Sequence, residues 1–158
     1  AAGSIRAPYV ELVDHRRDVG WLPERLVELV QRYSPLAVGC NGAGVAAAQV
    51  GPVLAAFTEA GLDASLLVPL AAPAYRAACG GLFSDVVEGR LTRLSGQGPL
   101  DVAAGDAGER PLGDGWAWDS RQATVPIAPL VAVTVARALL PVEAPMPPRE
   151  PLVMVLGG

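Results

Sequence analysis

The spacing of apolar and polar positions divides the chain into alternating short and long elements. In "PYVELVDHR" (Pro8 to Arg16) Val10 and Leu12 face one way and Glu11 and Val13 the other, which predicts a strand. "GWLPERLVELVQRYSP" follows. Pro23 suits a first helical turn, Leu22, Leu26, Leu29, Val30 and Tyr33 recur at helical spacing, and Pro35 closes the segment. "LAVGC" (Leu36 to Cys40) is short and wholly apolar, the pattern of a strand buried on both faces. A second helix is predicted over Ala46 to Ala60, burying Val50, Val53, Leu54 and Phe57 and stopping at Gly61. Pro52 lies inside it and offers an alternative start.

"ASLLVPL" (Ala64 to Leu70) predicts a further buried strand. The helix Pro73 to Glu88 carries Tyr75, Ala78, Cys79, Leu82, Phe83, Val86 and Val87 on one stripe, with Gly89 as its stop. Residues 89 to 115 are rich in glycine and proline and read as irregular, with one short helix near Leu100 to Ala107. "GWAWDSRQATVPI" alternates as a pair of strands would, and Ala128 to Leu140 predicts a last helix with Pro129 near its start. "PVEAPMPPREP" is a proline-rich linker, and "LVMVL" is a final apolar patch. Strands alternating with helices predict an α/β domain with a largely parallel sheet. No internal repeat is visible.

Composition narrows this picture. The 158 residues suit one domain, and 51% are hydrophobic, enough for a sizeable core built mostly from Ala and Val. No apolar run reaches the roughly 18 residues of a membrane span. The first residues, "AAGSIRAPYV", lack both an initiator Met and a signal-peptide pattern, which is how a piece of a longer protein would begin. Cys40 and Cys79, the only cysteines, have no ligand spacing and read as buried thiols of a reducing compartment. All twelve basic residues are Arg, and the net charge of −4 argues against broad nucleic-acid binding while leaving room for a local Arg surface.

Three candidate chemistries stand out. "GAGVAA" (Gly42 to Ala47) fits the G-x-G-x-x-A turn that approaches a pyrophosphate. The acid that should bind ribose follows the next strand, whereas Asp63 precedes it. No G-x-x-x-x-G-K-[ST] phosphate loop is present. His15, alone among Asp14, Arg16, Arg17 and Asp18, reads as a solvated strand end. Asp114 and Asp119 are paired acids of the kind that hold a divalent metal through hard oxygen ligands, although acids beside Gly, Ser and Arg more often sit on loops. Trp116 and Trp118 share one strand face and read as core rather than as a base-stacking platform.

The ordered set of segments resembles the C-terminal nuclease domain of tailed-phage terminase large subunits, especially those of actinobacterial phages and prophages. "VELVDHRRDVGWLPERLVELVQRYSP" is similar to that family's second strand and first helix. "AVGCNGAG" is similar to the strand whose tip carries an acid. "YRAACGGLFSDVVEGRLTRLSGQGPLDVA" resembles the helix with Ala-Cys-Gly at its centre and the segments after it. "RPLGDGWAWDSR" and "VPIAPLVAVTVA" resemble the closing strand and last helix. The resemblance covers roughly residues 8 to 140. It implies an α/β fold of the RNase H-like kind, a mixed central sheet flanked by helices, over residues 1–140, followed by a proline-rich tail at 141–158.

The resemblance further implies a metal-dependent endonuclease of phage DNA packaging in the host cytoplasm. Two Mg²⁺ or Mn²⁺ ions about 4 Å apart would activate a water and stabilise the leaving oxygen. Its partners would be double-stranded DNA, the portal and the small terminase subunit, with oligomers formed only through the full-length protein. Carried over position by position, the metal site is degenerate. The first family acid lies on a strand this sequence does not contain. The second position is Asn41, which offers a neutral carbonyl oxygen and no charge. The third is Pro126, unless Asp119 or Asp114 stands in for it. The expectation is therefore a terminase nuclease-type domain with cleavage weakened or lost. Beside it stand a non-catalytic α/β interaction module and a nucleotide-binding domain using Gly42–Gly44.

Overall fold

The computed structural model describes residues 8–140. The tail 141–158, with its proline-rich linker and apolar patch, lies outside the described residues. The elements, in chain order, are β1 (Tyr9–Val10), α1 (Leu22–Tyr33), β2 (Val38–Asn41), α2 (Gly44–Glu59), a 3₁₀ turn (Ala64–Leu66), β3 (Leu67–Leu70) and α3 (Ala72–Val87). They continue through β4 (Thr92–Arg93), α4 (Gly98–Asp106), β5 (Gly108–Leu112), β6 (Gly115–Asp119) and α5 (Ala128–Leu139).

This is a mixed α/β domain, as the alternation predicts. Its strands form three two-stranded pieces: β1 with β4 and β2 with β3, both parallel, and the antiparallel hairpin β5–β6. The expectation of one mixed central sheet is therefore corrected: among the described residues no sheet has more than two strands. The first strand is also shorter than predicted, with only an isolated bridge at Leu12 beyond Val10. Asp14 pairs with Arg16 at 2.9 Å and with Arg25 of α1 at 3.3 Å.

The helices follow their sequence logic closely. α1 has Pro23 in its first turn and buries Leu22, Leu26, Leu29 and Val30; it ends at Ser34, whose backbone is left-handed, just before Pro35. α2 runs unbroken through Pro52 rather than starting there. Pro52 removes the hydrogen bond to the carbonyl four residues back. Its face is exposed, so water can satisfy the freed Ala48 carbonyl. α3 departs most from expectation. Tyr75, Ala78, Cys79 and Leu82 are buried, but Phe83, Val86 and Val87 are exposed, and the next buried position on the stripe is Asp85.

β5 forms within the stretch that reads as irregular. Its Gly108–Leu112 pairs with Gly115–Asp119 across a two-residue turn at Gly113–Asp114, a standard hairpin connection. The predicted partner of β6, the segment after Asp119, remains a loop.

α5 is apolar on every side and buried from Ala128 to Ala136 apart from half-buried Val131. It packs on β2, α3 and α4 at once. The approach to β2 is close: a Cβ on Gly39 would lie 2.6 Å from Cγ1 of Val135. Around α5 lie two apolar clusters. The larger contains Leu22, Leu26, Phe57, Val38, Cys40, Tyr75, Cys79 and Val135. The smaller contains Val10, Leu82, Leu100, Ile127, Leu130 and Val133. Trp118 touches both and donates its indole N–H to Thr134 Oγ1 at 2.9 Å. With Trp116 stacked edge-on against it at 4.8 Å, both tryptophans pack against the core, as the sequence suggests.

Candidate functional site

The turn after β2 is built by backbone constraints. Gly42 donates its N–H to the Leu70 carbonyl at 2.9 Å, and a Cβ there would sit 2.6 Å from that oxygen. Only glycine fits without displacing β3. Gly44, at φ +66°, then opens α2. Asn41 folds back on this turn: its Oδ1 accepts the Ala43 N–H at 3.3 Å. The amide thereby closes an Asx turn of the kind short polar side chains favour at turns.

The same geometry bears on the dinucleotide pattern. Gly42 already uses its N–H within the protein. Asp63 accepts the Ser65 N–H at 2.8 Å and caps the 3₁₀ turn ahead of β3, at the opposite end of the strand from the glycine turn. That hydrogen bond from the Ser65 backbone holds the Asp63 carboxyl below its ordinary range.

The two nominated acids stand apart. Asp114 occupies the tip of the β5–β6 hairpin, its side chain 87% exposed, and pairs with Arg76 of α3 at 2.6 Å. Asp119 ends β6, is 4% exposed, and accepts the Arg121 N–H at 2.9 Å. Five strand residues at about 3.3 Å each put them on the order of 16 Å apart. At that separation the two acids do not converge on one centre. Asn41 belongs to a different sheet, β2–β3. His15 is half-buried after β1, beside an Asp14 committed to two arginines.

The position nominated for the third acid has an acid next to it in space that the sequence does not reveal. Asp106, the last residue of α4, accepts the Thr124 N–H at 2.5 Å, the Thr124 hydroxyl at 2.9 Å and the Val125 N–H at 3.2 Å, just before Pro126. The Thr124 hydroxyl, helped by the two backbone N–H groups, holds its carboxyl below the ordinary range. Its oxygens serve to tie α4 to the loop that leads into α5.

A second acid lies outside the residues the sequence nominates. Asp85 is 3% exposed. Its Oδ1 accepts the Arg90 Nε–H at 3.0 Å, and its Oδ2 lies 2.5 Å from Arg137 Nε in a charge contact that lacks hydrogen-bond alignment. The signal was present: Asp85 continues the buried spacing of Ala78 and Leu82 on α3. Asp85, Arg90 and Arg137 line an open cleft of about 420 Å³ together with Leu70, Ala74, Ala77, Gly81 and Ala138.

Among the described residues, no three His, Cys, Asp or Glu side chains come together as metal ligands. Cys40 and Cys79 are free buried thiols, and burial pushes both up from the ordinary thiol range. The residues that the resemblance nominates thus do not fit a two-metal centre, which needs several converging oxygen donors with negative charge. Among the described residues no helix is long and apolar enough to cross a membrane. Comparison with known protein families, with curated proteins and with solved structures finds no match to this chain.

Proposed function

We propose that the chain is a terminase nuclease-type domain of RNase H-like ancestry that has lost cleavage and kept a docking role in phage DNA packaging. The observation that carries the proposal is the state of Asn41. Where the resemblance requires a charged ligand at a strand tip, a neutral amide is turned back onto its own backbone. The candidate replacements are engaged elsewhere, Asp114 with Arg76 and Asp119 with the Arg121 backbone. In this reading double-stranded DNA, the portal and the small terminase subunit are partners of the assembly. The domain contributes surface, and no Mg²⁺ or Mn²⁺ takes part at these residues.

The reading of a non-catalytic α/β interaction module without terminase ancestry draws on the exposed Val86 and Val87 at the end of α3, which leave apolar surface available to a partner. Calorimetric titration with Mn²⁺ tests what both readings share. The expected result is no saturable binding at micromolar to millimolar metal, in the parent and in Asn41→Asp alike. Two ions bound per chain, or stoichiometric binding gained by Asn41→Asp alone, would overturn it.

A further inference from the structure

β2 is covered like an interior strand but paired like an edge strand. Val38, Gly39 and Cys40 are all buried. α5 lies against Gly39 on one face. Side chains alternate along a strand, so Val38 and Cys40 point to the other face, and α2 packs on β2 as well.

The backbone directions follow from the register with β3, which sets Gly39 opposite Val68 and Cys40 opposite Pro69. In a parallel pair, alternate residues of a strand direct both their N–H and C=O to one neighbour. Gly42 donates to Leu70 O, so Val38, Cys40 and Gly42 are the set that faces β3. The alternative set is excluded, because the Gly39 carbonyl would then need an N–H from Pro69, which has none. Gly39 and Asn41 therefore direct their backbone groups away from β3. Among the described residues, no backbone or side-chain group outside β3 pairs with the Gly39 N–H or C=O. Buried backbone groups are almost always paired. β3 differs: Val68 is half-buried and Pro69 exposed, the marks of a true edge strand.

We propose that a further strand adds to the open edge of β2, and that its occupant is the apolar segment Leu152–Leu156 of the same chain. Two observations select it. A strand between helix-covered faces must be apolar on both sides, without alternation. "LVMVL" is wholly apolar, contains two β-branched valines and, at five residues, is long enough to lie along the four residues of β2. The chain also leaves α5 at the right place, because Leu139, the last residue of that helix, lies directly on Gly39. Residues 141–151 can span up to about 36 Å, ample to bring the segment alongside. The inference does not depend on the terminase reading.

Amide hydrogen exchange and cross-strand NOEs on the isotope-labelled full chain test it. The expected result is a protected Gly39 amide with backbone NOEs from Gly39 to residues within Leu152–Leu156. Val153→Pro and Met154→Pro, made separately, remove N–H groups that point to opposite sides of the strand, so one of the two faces β2 in either register. At least one is expected to speed exchange at Gly39 by about tenfold or more, with less effect at Val38 and Cys40. If both variants unfold, the parent NOEs still decide. Gly39 exchanging as fast as an unstructured peptide would overturn the proposal, as would protection without NOEs to 152–156. NOEs seen only between differently labelled copies would give the edge to a second chain instead, and would also overturn it.

Discussion

Asn41, Gly39 and Gly42 show how little of a strand tip is set by its side chains. Gly42 is required by the Leu70 carbonyl and Gly39 by Val135 and Leu139 of α5. Gly39→Val should therefore overpack the β2–α5 contact and lower stability by about 1–3 kcal/mol, read by urea denaturation. An unchanged midpoint would mean that α5 does not approach β2 this closely. Asp106 makes a pH-dependent prediction. Its folded carboxyl lies below the ordinary value, so it contributes stability above the unfolded pKa of about 4. That contribution is lost as pH falls through the lower folded pKa. Asp14, lowered chiefly by its hydrogen bond from Arg16, acts in the same direction. Melting between pH 6 and pH 3 should show the parent losing more stability than Asp106→Asn. Equal losses would contradict the role assigned to Asp106.

At the scale of elements, the helices were legible where first-turn prolines and apolar spacing agree. Pro23, Pro73, Pro99 and Pro129 all fall in first turns, and Leu22, Leu26, Leu29 and Val30 form one face. The misreadings have physical causes. β5, "GERPL", carries Gly and Pro, and its strand character comes from pairing with β6 rather than from propensity. α3 is apolar nearly all round, so periodicity could not tell which side meets α5. Its true stripe runs through Asp85, whose charge is held by Arg90 and Arg137, and leaves Val87 68% exposed. Val87→Lys should accordingly change stability by less than about 0.5 kcal/mol in thermal or chemical denaturation. A loss of several kcal/mol would restore Val87 to the core.

For the whole molecule, the α/β character was readable from alternation alone, whereas the sheet arrangement was not. Which strands pair depends on contacts such as Thr92 N–H to Pro8 O at 2.8 Å, formed between residues more than eighty positions apart. The candidate site was legible only as positions. Asn41 and Pro126 stand where the resemblance would place charges, but the separation of Asp114 from Asp119 needed the hairpin register, and the uses of Asp106 and Asp85 needed the tertiary fold. Among the described residues the buried carboxylates are tied to Arg and backbone groups, and the proposed loss of cleavage rests on that arrangement. The most direct test is incubation of the purified chain with supercoiled plasmid and Mn²⁺, beside Asp119→Ala. The account predicts no nicking above the metal-only control by either protein, while robust nicking by the parent that disappears in Asp119→Ala would contradict it.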